Sequence, residues 1–281
     1  MKYFVKALIV GLLPLSHIRA SDPPVSTYEE LVSRYISYYE AEMPDSAEWV
    51  LHSALDLYPN HEGNFILRGN LAELQLARQD TVAALSELSK AIAEQPEVTQ
   101  LRSRRAEINE QSGHLNDALM DLDELIRLQP TWEIPLYNRA RVRHKLNLYS
   151  GAINDLEQIM KLNPTAYLPR VALAKAYEAD GDALKAEKLL THLIDKYPKM
   201  PIAYRELGWL LLRQDRKSEA LDNVRHIINE LKRADGEDYL LRGAIWMRYG
   251  EVTLAEKDFY EAKRLGITES RINEVKNDGK R

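Results

Sequence analysis

The chain of 281 residues contains no cysteine. It therefore forms no disulfide, holds no metal through a thiolate and has no cysteine nucleophile. Cysteine usage is also the main sequence indicator of the redox compartment, so that compartment stays open.

Long hydrophobic runs are absent as well. The apolar stretch Ala7–Leu15 has nine residues, well short of the ~20 that span a bilayer. Lys2 and Lys6 precede it and the small residue Ala20 follows it, which is the layout of a secretory signal peptide over residues 1–20. We expect cleavage after Ala20 and export, with the periplasm of a bacterium as the compartment. No cysteine follows the run, so a bacterial lipid anchor is excluded. An uncleaved anchor and a buried first helix are the alternatives.

An excess of basic residues is lacking too. Lysine and arginine total 38 against 43 acidic residues, a formal net charge of −5. Without residues 1–20 the balance is 35 to 43, a net charge of −8. This argues against a general binder of nucleic acids or anionic membranes, which needs a basic surface.

The local motifs of common enzyme classes are missing. There is no His-Glu-x-x-His helix, no Gly-x-Ser-x-Gly turn and no phosphate-binding glycine loop. The seven histidines are scattered along the chain. We therefore predict no enzymatic activity, no cofactor and no metal site.

What the sequence does contain is a regular series of alanines, called here the alanine ruler. It recurs at intervals of 37, 34, 34, 34, 34 and 35 residues, at Ala47, Ala84, Ala118, Ala152, Ala186, Ala220 and Ala255. A bulky apolar residue stands four positions after each alanine. Twelve positions after the first five stand prolines, namely Pro59, Pro96, Pro130, Pro164 and Pro198. A fixed period of this length is the signature of a repeat protein.

The ruler frames seven repeats after a lead-in at 21–27. They are 28–61, 65–98, 99–132, 133–166, 167–200, 201–235 and 236–269, followed by a capping tail at 270–281. Each frame holds two helical patterns with a break between them. Gly113, Gly181 and Gly250 stand at that break in three repeats, where a left-handed backbone favours glycine. The prolines end the second helices, because proline cannot continue a helix.

Repeat 6 shows a further pattern, with Tyr204, Leu207, Gly208, Ala220 and Val224 at fixed spacing. The pattern resembles the tetratricopeptide repeat family, and the resemblance covers residues 28–269. It implies an all-α fold, a right-handed α-solenoid of about seven helix-turn-helix repeats. It also implies a protein–protein interaction scaffold.

We call a position that recurs at the same place in each repeat a column. Two columns of the first helices predict features of the packing. Small residues should let helices approach closely, at Ala72, Ala106, Ala140, Ala174, Gly208 and Gly243. The family's leucine column is arginine in four repeats, at Arg34, Arg105, Arg139 and Arg242. We expect these stems to cover the core while the charged heads reach water.

In this family the first helices line a concave groove. The groove columns are the second, fifth, sixth, ninth, twelfth and thirteenth of each repeat. They are acidic in the first three repeats and basic, with aromatic residues, in the last four. The predicted partner-binding residues are Tyr137, Arg141, His144, Lys145, Lys175, Arg205, Trp209, Arg213 and Arg248. Arginine and lysine pair with carboxylates and aromatic rings supply anchors, so the expected partner is a protein or peptide with an acidic or carboxylate-bearing segment.

Two other function classes remain open. Clustered carboxylates with shifted pKa values in a closed pocket would favour an enzyme, or an enzyme subunit, that positions cell-envelope glycan. An uncleaved leader would favour a membrane-tethered assembly factor.

Overall fold

The structure is a computed structural model that describes residues 26–278. The predicted signal peptide and its cleavage point lie outside the described residues. Across the described part of the chain, regular structure consists of helices alone, fifteen α-helices and one π-helical turn. The predicted all-α fold is confirmed. The chain divides into two compact units, Met1–Pro130 and Thr131–Arg281.

Each unit is built from antiparallel helix pairs. In unit 1 the helices are α1 (Tyr28–Glu40), α2 (Pro44–Leu57), α3 (Asn64–Ala77), α4 (Thr81–Glu94), α5 (Thr99–Gln111) and α6 (Leu115–Leu128). In unit 2 they are α7 (Glu133–Lys145), α8 (Tyr149–Leu162), α9 (Tyr167–Ala179), α10 (Ala183–Lys196), α11 (Pro201–Arg213), α12 (Lys217–Arg225), α13 (Gly236–Tyr249), α14 (Val252–Arg264) and α15 (Glu269–Asp278).

Helix α12 differs from the other second helices. It continues as a π-helical turn, His226–Leu231, and ends at Lys232 in the left-handed conformation. A π turn holds one residue more than an α turn. It lies in the 35-residue interval between Ala220 and Ala255, one residue longer than the four intervals before it.

The alanine ruler lies where the two helices of each pair meet. All seven alanines are buried, with at most 1% of their surface exposed. The small residues of the first helices face the same junctions. A Cβ added at Gly243 would lie 2.7 Å from a ring carbon of Phe259. Larger side chains would therefore force the helices apart, at a cost of about 1–3 kcal/mol.

A left-handed residue ends each first helix, always five positions before the ruler alanine. These residues are Glu42, Gln79, Gly113, Asn147, Gly181, Asp215 and Gly250, with φ between 57° and 94°. The next residue donates its N–H to the carbonyl five positions back, at 2.8–2.9 Å, as His114 does to Asn109. This is the hydrogen bond of the Schellman motif, which satisfies a carbonyl at the helix end. Three of the seven sites hold glycine, and the other four hold polar residues.

Three of the four arginines in the column do more than reach water, contrary to our expectation, whereas Arg34 is exposed. Arg105 donates from Nε and Nη2 to Asp121 at 2.8 and 2.7 Å, and Asp121 is 3% exposed. The same bidentate pair recurs between Arg139 and Asp155 and between Arg242 and Asp258. In each pair the aspartate stands sixteen residues after the arginine. Bidentate guanidinium–carboxylate contacts are strong and geometrically specific, so these arginines join the two helices of their repeat.

Helix α15 covers the end of the apolar core of unit 2. Ile272 and Val275 are buried, at 5% and 6% exposure, within the cluster that also holds Leu240 and Phe259. A helix with two buried apolar residues and an otherwise polar surface is typical of a helix that caps a repeat array.

We expect Gly113→Ala to lower the free energy of unfolding by about 1 kcal/mol, because an L-residue is strained in the left-handed conformation. An added Cβ meets no atom within 4 Å, so the loss would arise from backbone conformation alone. Gly113→Asn should lose less, since Asn147 occupies the equivalent site. Urea unfolding measures both, and equal losses would contradict this account of the turn.

A double-mutant cycle tests the buried ion pairs. Asp121→Leu alone should lower the free energy of unfolding by about 3 kcal/mol, because Arg105 loses its partner inside the protein. The double variant Arg105→Leu/Asp121→Leu should recover most of that loss, since repeat 5 holds Leu173 and Leu189 at the same two positions. Unfolding curves of the four proteins give the coupling energy. Additive losses would show that the pair does not act as a unit.

Candidate functional site

The residues predicted to bind a partner converge on two adjoining cavities of unit 2. The first, called here the α7–α9 cavity, has a volume of about 320 Å³. Helices α7, α8, α9 and α11 bound it. Four of the nine predicted residues line it, namely Tyr137, Arg141, His144 and Lys175.

The α7–α9 cavity has an apolar floor and a polar rim. The floor consists of buried residues, at most 5% exposed, namely Ala140, Ala152, Leu156, Val171 and Ala176. The rim is open to solvent: half of the Lys175 side chain is exposed. Such a combination of apolar floor and few polar groups is typical of ligand pockets.

The second cavity, called here the α11–α15 cleft, has a volume of about 530 Å³. Helices α9, α11, α13 and α15 bound it. The predicted residues along it are Lys175, Arg205, Trp209, Arg213 and Arg248. Lys175 and Glu206 line both cavities, so the two adjoin. Lys145, at the end of α7, lines neither of them.

Arg205 is bound by carboxylates of its own unit. Its Nε and Nη2 donate to Asp238 at 2.7 and 2.9 Å, and Nη2 also donates to Asp235 at 2.7 Å. Burial alone would lower the pKa of Arg205, but these two aspartates raise it above its ordinary value. Asp238 is fully buried, so Arg205 neutralises an interior carboxylate and joins α11 to α13.

Other cations of the cleft also have partners within unit 2. Arg213 donates to both carboxylate oxygens of Glu178, at 2.5 and 2.7 Å. Arg248 donates weakly to the Asp278 carbonyl at 3.4 Å. The cleft lining holds five cationic side chains and four carboxylates. Its charge is therefore nearly balanced, whereas the sequence columns predicted a basic surface.

The α7–α9 cavity keeps more of the predicted character. Its lining carries the cations Arg141 and Lys175 against one carboxylate, Glu206, which lies 3.5 Å from the Lys175 ammonium. Burial lowers the pKa of His144, and the nearby charge of Lys175 lowers it further. The imidazole is thus neutral near pH 7, and the cavity has a small positive excess in a chain of net charge −5.

The start of α9 positions the start of α11, which borders both cavities. The Tyr167 hydroxyl accepts a hydrogen bond from the Ala203 N–H at 3.0 Å. The Tyr167 ring packs edge-on against Tyr197, with 5.4 Å between ring centres. The contact satisfies an N–H of the first turn of α11 that has no partner within the helix.

No metal site or membrane span emerges within residues 26–278. In that part of the chain, histidine and carboxylate side chains do not gather in a group of three that a metal ion would need. None of the helices there is both long enough and apolar enough to cross a bilayer.

The structure adds residues that the prediction did not name. Leu168 and Ile202 stand in the second column, and Ala172 stands in the sixth. Both columns belong to the predicted groove, but the prediction names only charged and aromatic residues and so omits these three apolar ones. Helix α15 contributes Glu274 and Asp278 to the cleft, outside every repeat frame, where no column pattern applies.

Comparison with known proteins agrees with the fold. A sequence profile of the tetratricopeptide repeat family matches residues 171–225. No curated protein matches the chain.

Solved structures resemble it over longer stretches. A tetratricopeptide repeat protein from Parabacteroides merdae is 24% identical, with a TM-score of 0.75, over 90% of this chain and 99% of its own. PilW, described as a type IV pilus biogenesis factor, is 17% identical, with a TM-score of 0.58, over 75% of this chain and 97% of its own. MamA from Desulfovibrio magneticus is 21% identical, with a TM-score of 0.53, over 60% of this chain and 95% of its own.

At these identities the likeness shows the fold alone. The family profile, however, matches the repeats whose residues carried the resemblance in the sequence. Residues 171–225 thus match the tetratricopeptide repeat family, and over 90% of the chain the fold resembles that of a solved tetratricopeptide repeat protein.

Proposed function

We propose that the protein is a non-enzymatic scaffold that binds a segment of a partner protein along the α7–α9 cavity and the α11–α15 cleft. The proposal rests on where the predicted partner-binding residues lie. Of nine residues chosen from sequence columns, eight line these two adjoining cavities. Repeat arrays of this fold serve as protein-interaction scaffolds, and a preformed surface lowers the ordering cost of binding on the scaffold side.

The partner segment carries a carboxylate, either a C-terminal carboxylate or an acidic side chain. Arg141 and Lys175 supply the cationic groups on the rim of the α7–α9 cavity, and Tyr137 supplies an aromatic surface beside them. Charge-assisted hydrogen bonds of this kind are stronger than neutral ones. Arg205 acts in the structure rather than as a ligand-binding group, because Asp238 and Asp235 hold it.

The scaffold works outside the cytoplasm in this proposal, in the periplasm of a bacterium. The support is the leader-like pattern of residues 1–20.

Reversing two rim charges tests the binding site. The double variant Arg141→Glu/Lys175→Glu should lower crosslinking to a partner by about tenfold or more, because two attractive contacts become repulsive. The readout is photo-crosslinking in cells that carry the full chain, with p-benzoylphenylalanine in place of Tyr137. The same crosslinker at Leu184, which is exposed on α10 and lines neither cavity, reports background.

A matched control has the same total charge as the Arg141→Glu/Lys175→Glu variant. Lys161→Glu/Lys188→Glu changes two exposed lysines outside both cavities and should crosslink like the unsubstituted chain. Circular dichroism of both double variants serves as the check that they stay folded. Equal crosslinking by the two doubles would refute the assignment of this face.

Export makes a separate prediction. The protein isolated from the periplasmic fraction should begin at Ser21, as measured by N-terminal sequencing. A protein that begins at Met1 and sediments with membranes would overturn the export proposal in favour of a tethered protein, without bearing on the binding site.

A further inference from the structure

We infer that the α7–α9 cavity is an anchor pocket for one bulky apolar side chain of the partner, leucine to phenylalanine in size, beside a carboxylate of the same segment. This inference rests on the proposed function and specifies the partner's chemistry.

One repeat breaks a column at this cavity. The tenth column of repeats 2 to 7 is a branched aliphatic residue everywhere except at Ala176, namely Leu74, Ile108, Val142, Leu210 and Ile245. These five residues are buried. Ala176 is 1% exposed and forms part of the cavity floor. At this position the cavity is lined by a methyl group in place of a branched aliphatic side chain.

An alanine at such a position loses packing that the neighbouring repeats keep. Protein interiors are close-packed, and space left by a smaller side chain destabilises the fold. A local departure from the rule that the rest of the chain follows is characteristic of functional positions. Ala176 lines the same cavity as Tyr137 and Lys175.

The lining sets the chemistry of the occupant. The floor offers alanine, leucine and valine side chains with no polar group, so it favours an apolar group taken out of water. Arg141 and Lys175 on the rim favour a carboxylate close to that group. A fully buried apolar anchor surrounded by polar contacts is the usual arrangement at the centre of a protein interface.

The shape favours a chain segment over a small molecule. The cavity continues into the α11–α15 cleft through Lys175 and Glu206, which line both. An extended segment with its anchor residue in the cavity can run on along the cleft past Trp209. A small amphiphile would use the cavity alone.

The test uses synthetic peptide pools and the full chain. Decapeptides randomised over their last four positions are prepared with a free C-terminal carboxylate and, separately, with a C-terminal amide. Immobilised protein captures peptides from each pool, and mass spectrometry reads the residue frequencies. The decisive variant is Ala176→Leu, which restores the residue of the other repeats and fills the floor. Octanoate serves as a competitor that offers an apolar chain and a carboxylate without a peptide.

We expect the unsubstituted chain to enrich leucine, isoleucine, methionine or phenylalanine within one position of a carboxylate. Ala176→Leu should lower capture of those peptides by at least about tenfold, the effect of excluding one large apolar side chain, while its melting temperature stays the same or rises. If the protein captures peptides from the pool with a free C-terminal carboxylate and none from the amide pool, the carboxylate is the C-terminal one. Retention of peptides with an internal Asp or Glu would identify it as a side chain, and either result supports the inference.

Other results separate the two proposals. If carboxylate peptides bind without preference for an apolar neighbour, or if Ala176→Leu captures them equally, the anchor pocket is wrong and the scaffold proposal stands. If octanoate displaces the peptides and binds as tightly as they do, the cavity is a site for small amphiphiles and the anchor inference falls. If the unsubstituted chain captures no peptide from either pool, both proposals fail.

Discussion

The close contact of the two helices within each repeat is the constraint on which the rest of the structure depends. It requires a residue no larger than alanine at one point of every second helix. The left-handed residue that ends the first helix always stands five positions before that point, as Gly113 does before Ala118. Turn and junction therefore share one register. Because the register repeats, the residues of one surface column lie at the same place in every repeat. A column in the sequence therefore corresponds to one position on the helix pair.

Within that register, one place in the core is filled in two ways. Repeat 3 uses the ion pair of Arg105 with Asp121, whereas repeat 5 has Leu173 and Leu189 at the same two positions. Replacement of a buried ion pair by apolar residues of similar volume is often neutral or stabilising. The ion pairs are therefore not required for helix packing. Their bidentate geometry fixes the relative position of two helices more narrowly than two leucines do.

The sequence predicted the helices well and the polar contacts poorly, for a physical reason. Spacing determines which residues meet at a junction, so the ruler was sufficient for helix pairs and for the turns at glycine. It did not identify Gln79 or Asp215 as left-handed, because the register imposes that conformation and the residue type does not. The partners of Arg105, Arg139 and Arg242 could have been predicted from the sequence. An aspartate stands sixteen positions after each of them and after no other residue of the column.

The columns account for where the predicted residues lie and not for the charge around them. Tyr137, His144 and Lys175 line one cavity, because position along a first helix determines the face. The balanced charge of the cleft depends on Asp238 and on helix α15, which supply carboxylates from outside the groove columns. Charge at a surface is a sum over all nearby elements, so columns of one helix cannot predict it.

These observations indicate where information about function lies in a repeat protein. A position that follows the column reports how the array is built, because the same packing recurs from repeat to repeat. Ala176 does not follow its column, and it lines the α7–α9 cavity. A branched aliphatic residue occupies the same place in five other repeats. The ruler thus gives the background against which one small residue becomes informative, and it directs attention to the floor of the cavity as well as to the charges on its rim.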